Sequence, residues 1–171
     1  LADDQVRIAQ LPLLRDEDRR QLLQQFNATT MALPAAGCVH DLFEAQARRT
    51  PDAIALVAGH SQLRYAELDA LANRLAARLV ALGIGPERRV AIRLERSPEL
   101  IVALLAVLKA GGAYVPIDPA YPIERSVYLL EDSQACVLLT TTALEAELRF
   151  SDVLRTISVL LMDQPDASAQ H

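Results

Sequence analysis

The chain contains no tryptophan, and aromatic residues make up only 4% of its 171 positions. It therefore has few faces for bases to stack on, and with a net charge of -5 and a pI near 5.2 it advertises no basic stripe, which argues against nucleic acid as a partner. Long apolar runs are also missing. The longest, Leu100 to Leu108, is roughly half of what a membrane-spanning helix needs. Leu1-Ala2-Asp3-Asp4 lacks the basic start and apolar stretch of a secretory signal, so the expected location is cytoplasmic, with no membrane partner. Cysteine is limited to Cys38 and Cys136, far apart and outside any Cys-x-x-Cys spacing, and His40, His60 and His171 are scattered. Neither a zinc site nor a redox pair is suggested, and both thiols read as reduced and structural. His40, near the start of a predicted helix, reads as a surface or interface residue and not as a catalytic base. Methionine is absent from the first position, which implies a piece cut from something longer.

Enough is present for one domain with a proper core, since 51% of the residues are apolar. The most informative stretch is Leu108-Lys-Ala-Gly-Gly-Ala-Tyr-Val-Pro-Ile-Asp118, which joins an apolar helix to a strand through paired glycines. Ser97-Pro98-Glu99 is a helix start, with Ser97 as cap, Pro98 at the first helical position and Glu99 at the positive end of the dipole. Leu100 to Leu108 are apolar on nearly every face and predict a helix buried between layers. Lys109 complements the dipole at its end, and Gly111 supplies the left-handed cap. Ala113 to Ile117 then read as a short inner strand. With Arg89 to Leu94 as the strand before, the unit is strand, helix, strand in a parallel sheet.

The first third differs. Leu11-Pro-Leu-Leu14 precedes a predicted helix over Asp16 to Phe26, with Asp16 as cap and a single apolar stripe of Leu22, Leu23 and Phe26. Asn27 to Gly37 lacks periodicity and reads as extended linker, which places an interdomain linker at 1–37 and a folded part at 38–171. One helix with one sticky stripe does not fold alone, so it must lie on a neighbour.

From Cys38 helices and strands alternate: a helix over Val39 to Arg49 stopped by Thr50-Pro51, strands at Ala53 to Ala58 and Gln62 to Arg64, and an amphipathic helix over Glu67 to Leu82. The last has Leu68, Leu71, Leu75, Leu79 and Leu82 on one stripe. Beyond the turn at Asp118 to Pro122 come a helix to about Asp132, a strand at Ala135 to Leu139, a helix with capping-box spacing at Thr142 and Glu145, and a last strand over Thr156 to Met162. This alternation predicts an α/β fold: an open, largely parallel sheet with helices on both faces.

Three segments, Leu63-Arg-Tyr-Ala-Glu-Leu68, Leu94-Glu-Arg-Ser-Pro-Glu-Leu100 and Leu108 to Asp118 continuing through Pro122, resemble the first two conserved blocks of nonribosomal peptide synthetase adenylation domains, of the AMP-binding, adenylate-forming superfamily. Upstream, Leu11 to Leu14 and Phe26-Asn-Ala-Thr29 resemble the linker from a condensation domain into such a domain. The resemblance runs in order over essentially the whole chain. It implies an incomplete N-terminal subdomain whose parent activates an amino acid with ATP and Mg2+ as aminoacyl-AMP, releases pyrophosphate and passes the acyl group to a phosphopantetheine thiol on a carrier domain. The expected partners are an upstream condensation domain, the remainder of the adenylation domain, the carrier domain and the amino acid. Arg64 departs from a common family form with threonine at that place, which removes half of a capping box with Glu67; Tyr65 and Glu67 start a helix.

The catalytic parts implied by the family are not matched. Its phosphate loop is rich in Ser, Thr and Gly and ends in lysine, so that backbone N–H groups can close around phosphate oxygens. No glycine follows Gly112, and Thr140-Thr141-Thr142 reads as a strand end and helix cap. Lys109 is the only lysine among 17 Lys and Arg residues, and the family's catalytic lysine lies near the far end of a much longer domain. Gly111-Gly112 accordingly reads as a structural joint and Lys109 as a dipole partner. The expectation is an inactive fragment with no catalytic, cofactor-binding or metal residue, exposing apolar surface and a strand edge where it stops. Two other readings stand beside it: a fragment of an acyl or aryl acid ligase, against which the linker and Tyr-Val-Pro-Ile-Asp-Pro argue, and a noncatalytic docking module.

Overall fold

The structure, a computed structural model, describes residues 14–31, 37–59, 61–149 and 151–164. The chain divides into two units, Leu1–Gly37 and Cys38–His171.

In the first unit, α1 spans Asp16–Arg20, with acidic residues in its first turn and arginines in its last, each complementing the local end of the dipole. Arg15 holds the cap position in place of Asp16, and its Nε donates to Asp18 Oδ2 at 3.0 Å. The helix then widens into a π-helical turn over Gln21–Gln25, where Phe26 N–H reaches Gln21 O at 3.0 Å. Asn27 Nδ2 closes the end by donating to Leu22 O and Leu23 O. Leu22, Leu23 and Phe26 are exposed, Phe26 by 63%. Of the predicted linker, residues 32–36 lie outside the described residues, as do His60, His171 and Leu11 to Leu13.

The second unit carries α2 (Val39–Arg49), β1 (Ile54–Ala58), β2 (Ser61–Arg64), α3 (Tyr65–Ala81), β3 (Arg89–Ile92), α4 (Pro98–Lys109), β4 (Ala113–Pro116), α5 (Ile123–Ser133), β5 (Val137–Thr140), α6 (Thr142–Leu148), a 3-10 turn (Asp152–Arg155) and β6 (Ser158–Leu161). β1 and β2 form an antiparallel hairpin of their own. The other four strands form a parallel sheet in the order β4-β3-β5-β6, in register Val90 with Tyr114 and Val137, and Leu138 with Val159. Strand alternation sorts its side chains between two cores. Val90, Ile92, Val137 and Leu139 pack with α3 and α4; Ala91, Leu138, Leu130 of α5 and Leu148 of α6 pack on the opposite face. Helices on both faces of a parallel sheet are what the alternation of elements implies.

Several local expectations are corrected. Among the described residues Ala113–Pro116 lies at an edge of the sheet and not inside it, with only Val115 half-buried along it; Pro116, which has no N–H to donate, suits an edge. Ser97 holds the cap position of α4, but its side chain makes no cap bond. In α4 only Val102, Ala103, Ala106 and Val107 are fully buried, while the leucines on its other sides are half-buried, so it covers one face of the sheet. The α6 cap is Thr141, whose Oγ1 accepts from Leu144 N–H; the N–H of Thr142 is instead taken by the Asp163 carboxylate. Leu82 follows the end of α3 and is exposed.

The paired glycines do two different things. Gly111 has φ +75° and ends α4: its N–H reaches Leu108 O and the N–H of Gly112 reaches Val107 O, satisfying two orphan carbonyls. Gly112 is there for space. A Cβ on it would stand 2.6 Å from Ile84 Cγ2 and 3.2 Å from Arg88 O.

Candidate functional site

Parallel α/β sheets take ligands outside the carboxyl ends of their strands. A cleft of about 470 Å³ lies there, past β3 and β4, lined by Leu94, Glu95, Arg96, Ile117, Asp118 and Tyr121 among others. Its lower wall is the turn after β4, which is self-contained: Asp118 Oδ1 accepts from Ala120 N–H at 2.9 Å and Asp118 O from Tyr121 N–H at 3.0 Å. A larger depression of about 580 Å³, lined by Arg88, Gln134, Cys136 and Ser158 among others, opens at the amino ends of the strands, away from that edge.

Arg93 fixes the carboxyl edge from beneath. Its side chain is fully buried; Nη1 donates to Leu144 O at 3.0 Å, and Nη2 to Pro119 O at 3.1 Å and Glu147 Oε2 at 2.6 Å. The guanidinium thus ties the turn after β4 to α6 across β3 and β5. Reading Val90, Ile92 and Leu94 as the buried face leaves Arg93 on the other one, but that face is covered by α5 and α6. A strand covered on both faces has no solvent side, so an arginine directly after it needs partners, and that requirement is the signal the sequence carries. Arg93 Nε, Ser126 Oγ and Thr140 Oγ1 are buried without a partner.

Lys109 is not simply a dipole partner. Its side chain is 4% exposed, and Nζ donates to Glu44 Oε1 of α2 at 2.5 Å, and to Asp69 Oδ1 at 2.9 Å and Asn73 Oδ1 at 2.8 Å of α3. One ammonium with three donors holds three helices together. At Arg64 the box with Glu67 is half-made, as expected: Glu67 Oε2 accepts from Arg64 N–H at 2.8 Å, and a guanidinium has no acceptor to return the bond. Its Nη1 lies 3.5 Å from Asp52 Oδ1.

Among the described residues, one group of cysteine, histidine and carboxylate side chains comes together: Cys38, His40 and Asp41, with ligand atoms all within 4.8 Å of one another. Cys38 holds the cap position of α2, and its N–H donates to Asp41 Oδ2 at 2.7 Å. His40 is 22% exposed, with Nε2 3.7 Å from Asp41 Oδ1 and a buried, unpartnered Nδ1. No helix of the described residues is long and apolar enough to cross a membrane.

The sequence profile described as AMP-binding enzyme matches residues 43–170, most of the second unit. The chain belongs to the AMP-binding enzyme family. Its relatives include peptide synthetases. It is 46% identical to a linear gramicidin synthase of Brevibacillus parabrevis over 171 residues, 99% of this chain and 2% of that protein. It is 49% identical to tyrocidine synthase 3 of the same organism over 135 residues, 79% of this chain and again 2% of that protein. Among solved structures, the nonribosomal peptide synthetase FmoA3 in its alpha-methyl-L-serine-AMP bound form superposes with a TM-score of 0.79 at 35% identity, over 98% of this chain and 19% of that one. The N-terminal subdomain of Klebsiella oxytoca NpsA gives 0.63 at 29% identity, over 74% and 32%. The chain thus spans a small part of the length of these relatives, and its likeness is to the N-terminal subdomain of adenylation domains, as the blocks at 63–68, 94–100 and 108–118 imply.

Proposed function

We propose that this chain is the leading scaffold of an adenylation domain in a nonribosomal peptide synthetase module. The parent domain would activate an amino acid with ATP and Mg2+ as aminoacyl-AMP, for transfer to the phosphopantetheine thiol of a carrier domain. An upstream condensation domain, the remainder of the adenylation domain and the carrier domain are its partners, and residues 1–37 are the linker from the condensation side. The observation that carries this is the likeness to FmoA3, over 98% of the chain, in a form holding an aminoacyl adenylate.

The residues present do not fit ATP or Mg2+ by themselves. Lys109, the one lysine, is enclosed by Glu44, Asp69 and Asn73. Asp118 is spent on its own turn, and Glu147 is held by Arg93. No glycine lies beyond Gly112 to let backbone donors close on a phosphate. The role of the chain is support: it builds the sheet, its carboxyl-edge cleft and the joints that place later parts of a domain.

The test is a chimera in which residues 38–164 replace the matching segment of an adenylation domain such as that of FmoA3. Amino-acid-dependent ATP–pyrophosphate exchange by the chimera is the expected result, with none by the 171-residue chain alone. A folded chimera without exchange overturns the family role, and exchange by the chain alone overturns the claim that it is only scaffold.

A further inference from the structure

We infer that Cys38, His40 and Asp41 form a binding site for a zinc-class divalent cation at the start of α2. The ligand atoms are already neighbours, all within 4.8 Å of one another, and His40 Nε2 and Asp41 Oδ1 stand 3.7 Å apart. In a tetrahedral zinc site the bond lengths place sulfur, nitrogen and oxygen ligands about 3.3 to 3.8 Å from each other. Closing this triad on a cation therefore takes a contraction of at most about 1.5 Å, which the exposed Cys38 and Asp41 side chains can make by rotation.

The one contact opened by the cation is the 3.7 Å pair of His40 Nε2 with Asp41 Oδ1. The free thiol of Cys38 is exposed. Asp41 uses Oδ2 to accept from Cys38 N–H at 2.7 Å, which fixes the carboxylate and leaves Oδ1 turned toward the imidazole. His40 has one ring nitrogen buried without a hydrogen-bond partner and the other beside Asp41. The cap bond holds the sulfur-bearing residue and the carboxylate in one turn, much as hydrogen bonds to the ligands orient them in known metal sites.

The chemistry selects the cation. One thiolate and one carboxylate neutralise a dication, and imidazole completes a borderline-soft set that suits zinc or cobalt and disfavours Mg2+, which demands oxygen ligands in an octahedron. Binding forms a metal–sulfur bond and releases the thiol proton to solvent, one per cation, with no change of oxidation state. Three protein ligands leave a coordination position for water. The site belongs to the second unit, and it is separate from the adenylation role proposed above.

Cobalt titration of the reduced 171-residue chain, followed by thiolate-to-cobalt charge-transfer absorption, is the test. One saturating transition per chain is expected, unchanged in Cys136→Ser, reversed by zinc and untouched by excess Mg2+. Cys38→Ser should abolish the absorption, and His40→Gln and Asp41→Asn should each weaken binding by about 100-fold. No charge-transfer band in the unsubstituted chain, a band that survives Cys38→Ser, or one lost in Cys136→Ser overturns the site. Circular dichroism of each variant checks folding; should His40→Gln or Asp41→Asn unfold, the two cysteine variants decide alone.

Discussion

Lys109 shows how much one side chain is asked to hold. Two carboxylates and an amide converge on its ammonium from α2 and α3, and the ammonium itself is shut away from water. Lys109→Met leaves Glu44 and Asp69 facing each other without the cation. Because both are part-exposed, the expected loss is about 2 kcal/mol, less than for a fully buried pair, read from urea unfolding. Lys109→Arg should not restore it, since a planar fork does not reproduce a compact centre with three donors. Gly112 makes a different demand. Gly112→Ala drives a methyl into Ile84 Cγ2, with an expected cost of about 1 to 3 kcal/mol. Ile84→Ala removes the obstructing group, so a double-mutant cycle should show coupling of more than about 0.5 kcal/mol; additive effects would rule out that clash as the cause.

At the scale of elements, helix ends divide into those a sequence announces and those it does not. Thr141→Ala should cost about 1 kcal/mol because its hydroxyl oxygen takes the Leu144 N–H. Ser97→Ala should lie within about 0.5 kcal/mol of the unsubstituted chain, its side chain making no cap bond; thermal melts of the two variants distinguish the positions. Residue type alone does not separate these two hydroxyls. Capping-box spacing points to Thr142, but its N–H is claimed by Asp163, 21 residues later, and no local pattern encodes such a partner. Where the deciding chemistry is local, the elements are legible: Thr50-Pro51 stops α2 at Arg49, and Gly111 ends α4. Strand order is not. The run Ala113 to Ile117 is apolar enough for an inner position, yet only the pairing of β3 with β5 on its other side makes β4 an edge. The same limit applies to polar centres. Periodicity shows which face Arg93 is on, but not that Pro119, Leu144 and Glu147 wait there.

At the scale of the whole molecule, the two units pose separate solution problems. The first unit exposes Leu22, Leu23, Phe26 and Met31 on a short helix and the residues after it, an apolar set with no buried residue in the helix behind it. The sheet unit has its own cores on both faces. Deleting residues 1–37 should therefore reduce self-association measured by sedimentation. The strand order carries a further consequence for synthesis from the amino end. β3 and β4 become available early and pair through α4, but the other side of β3 is reserved for β5, some 45 residues later, and β5 in turn must precede β6. During that interval Val90 to Ile92 present an unfilled flank on the ribosome, and the nascent chain is open to chaperones or to a mistaken strand until Val137 to Leu139 arrive.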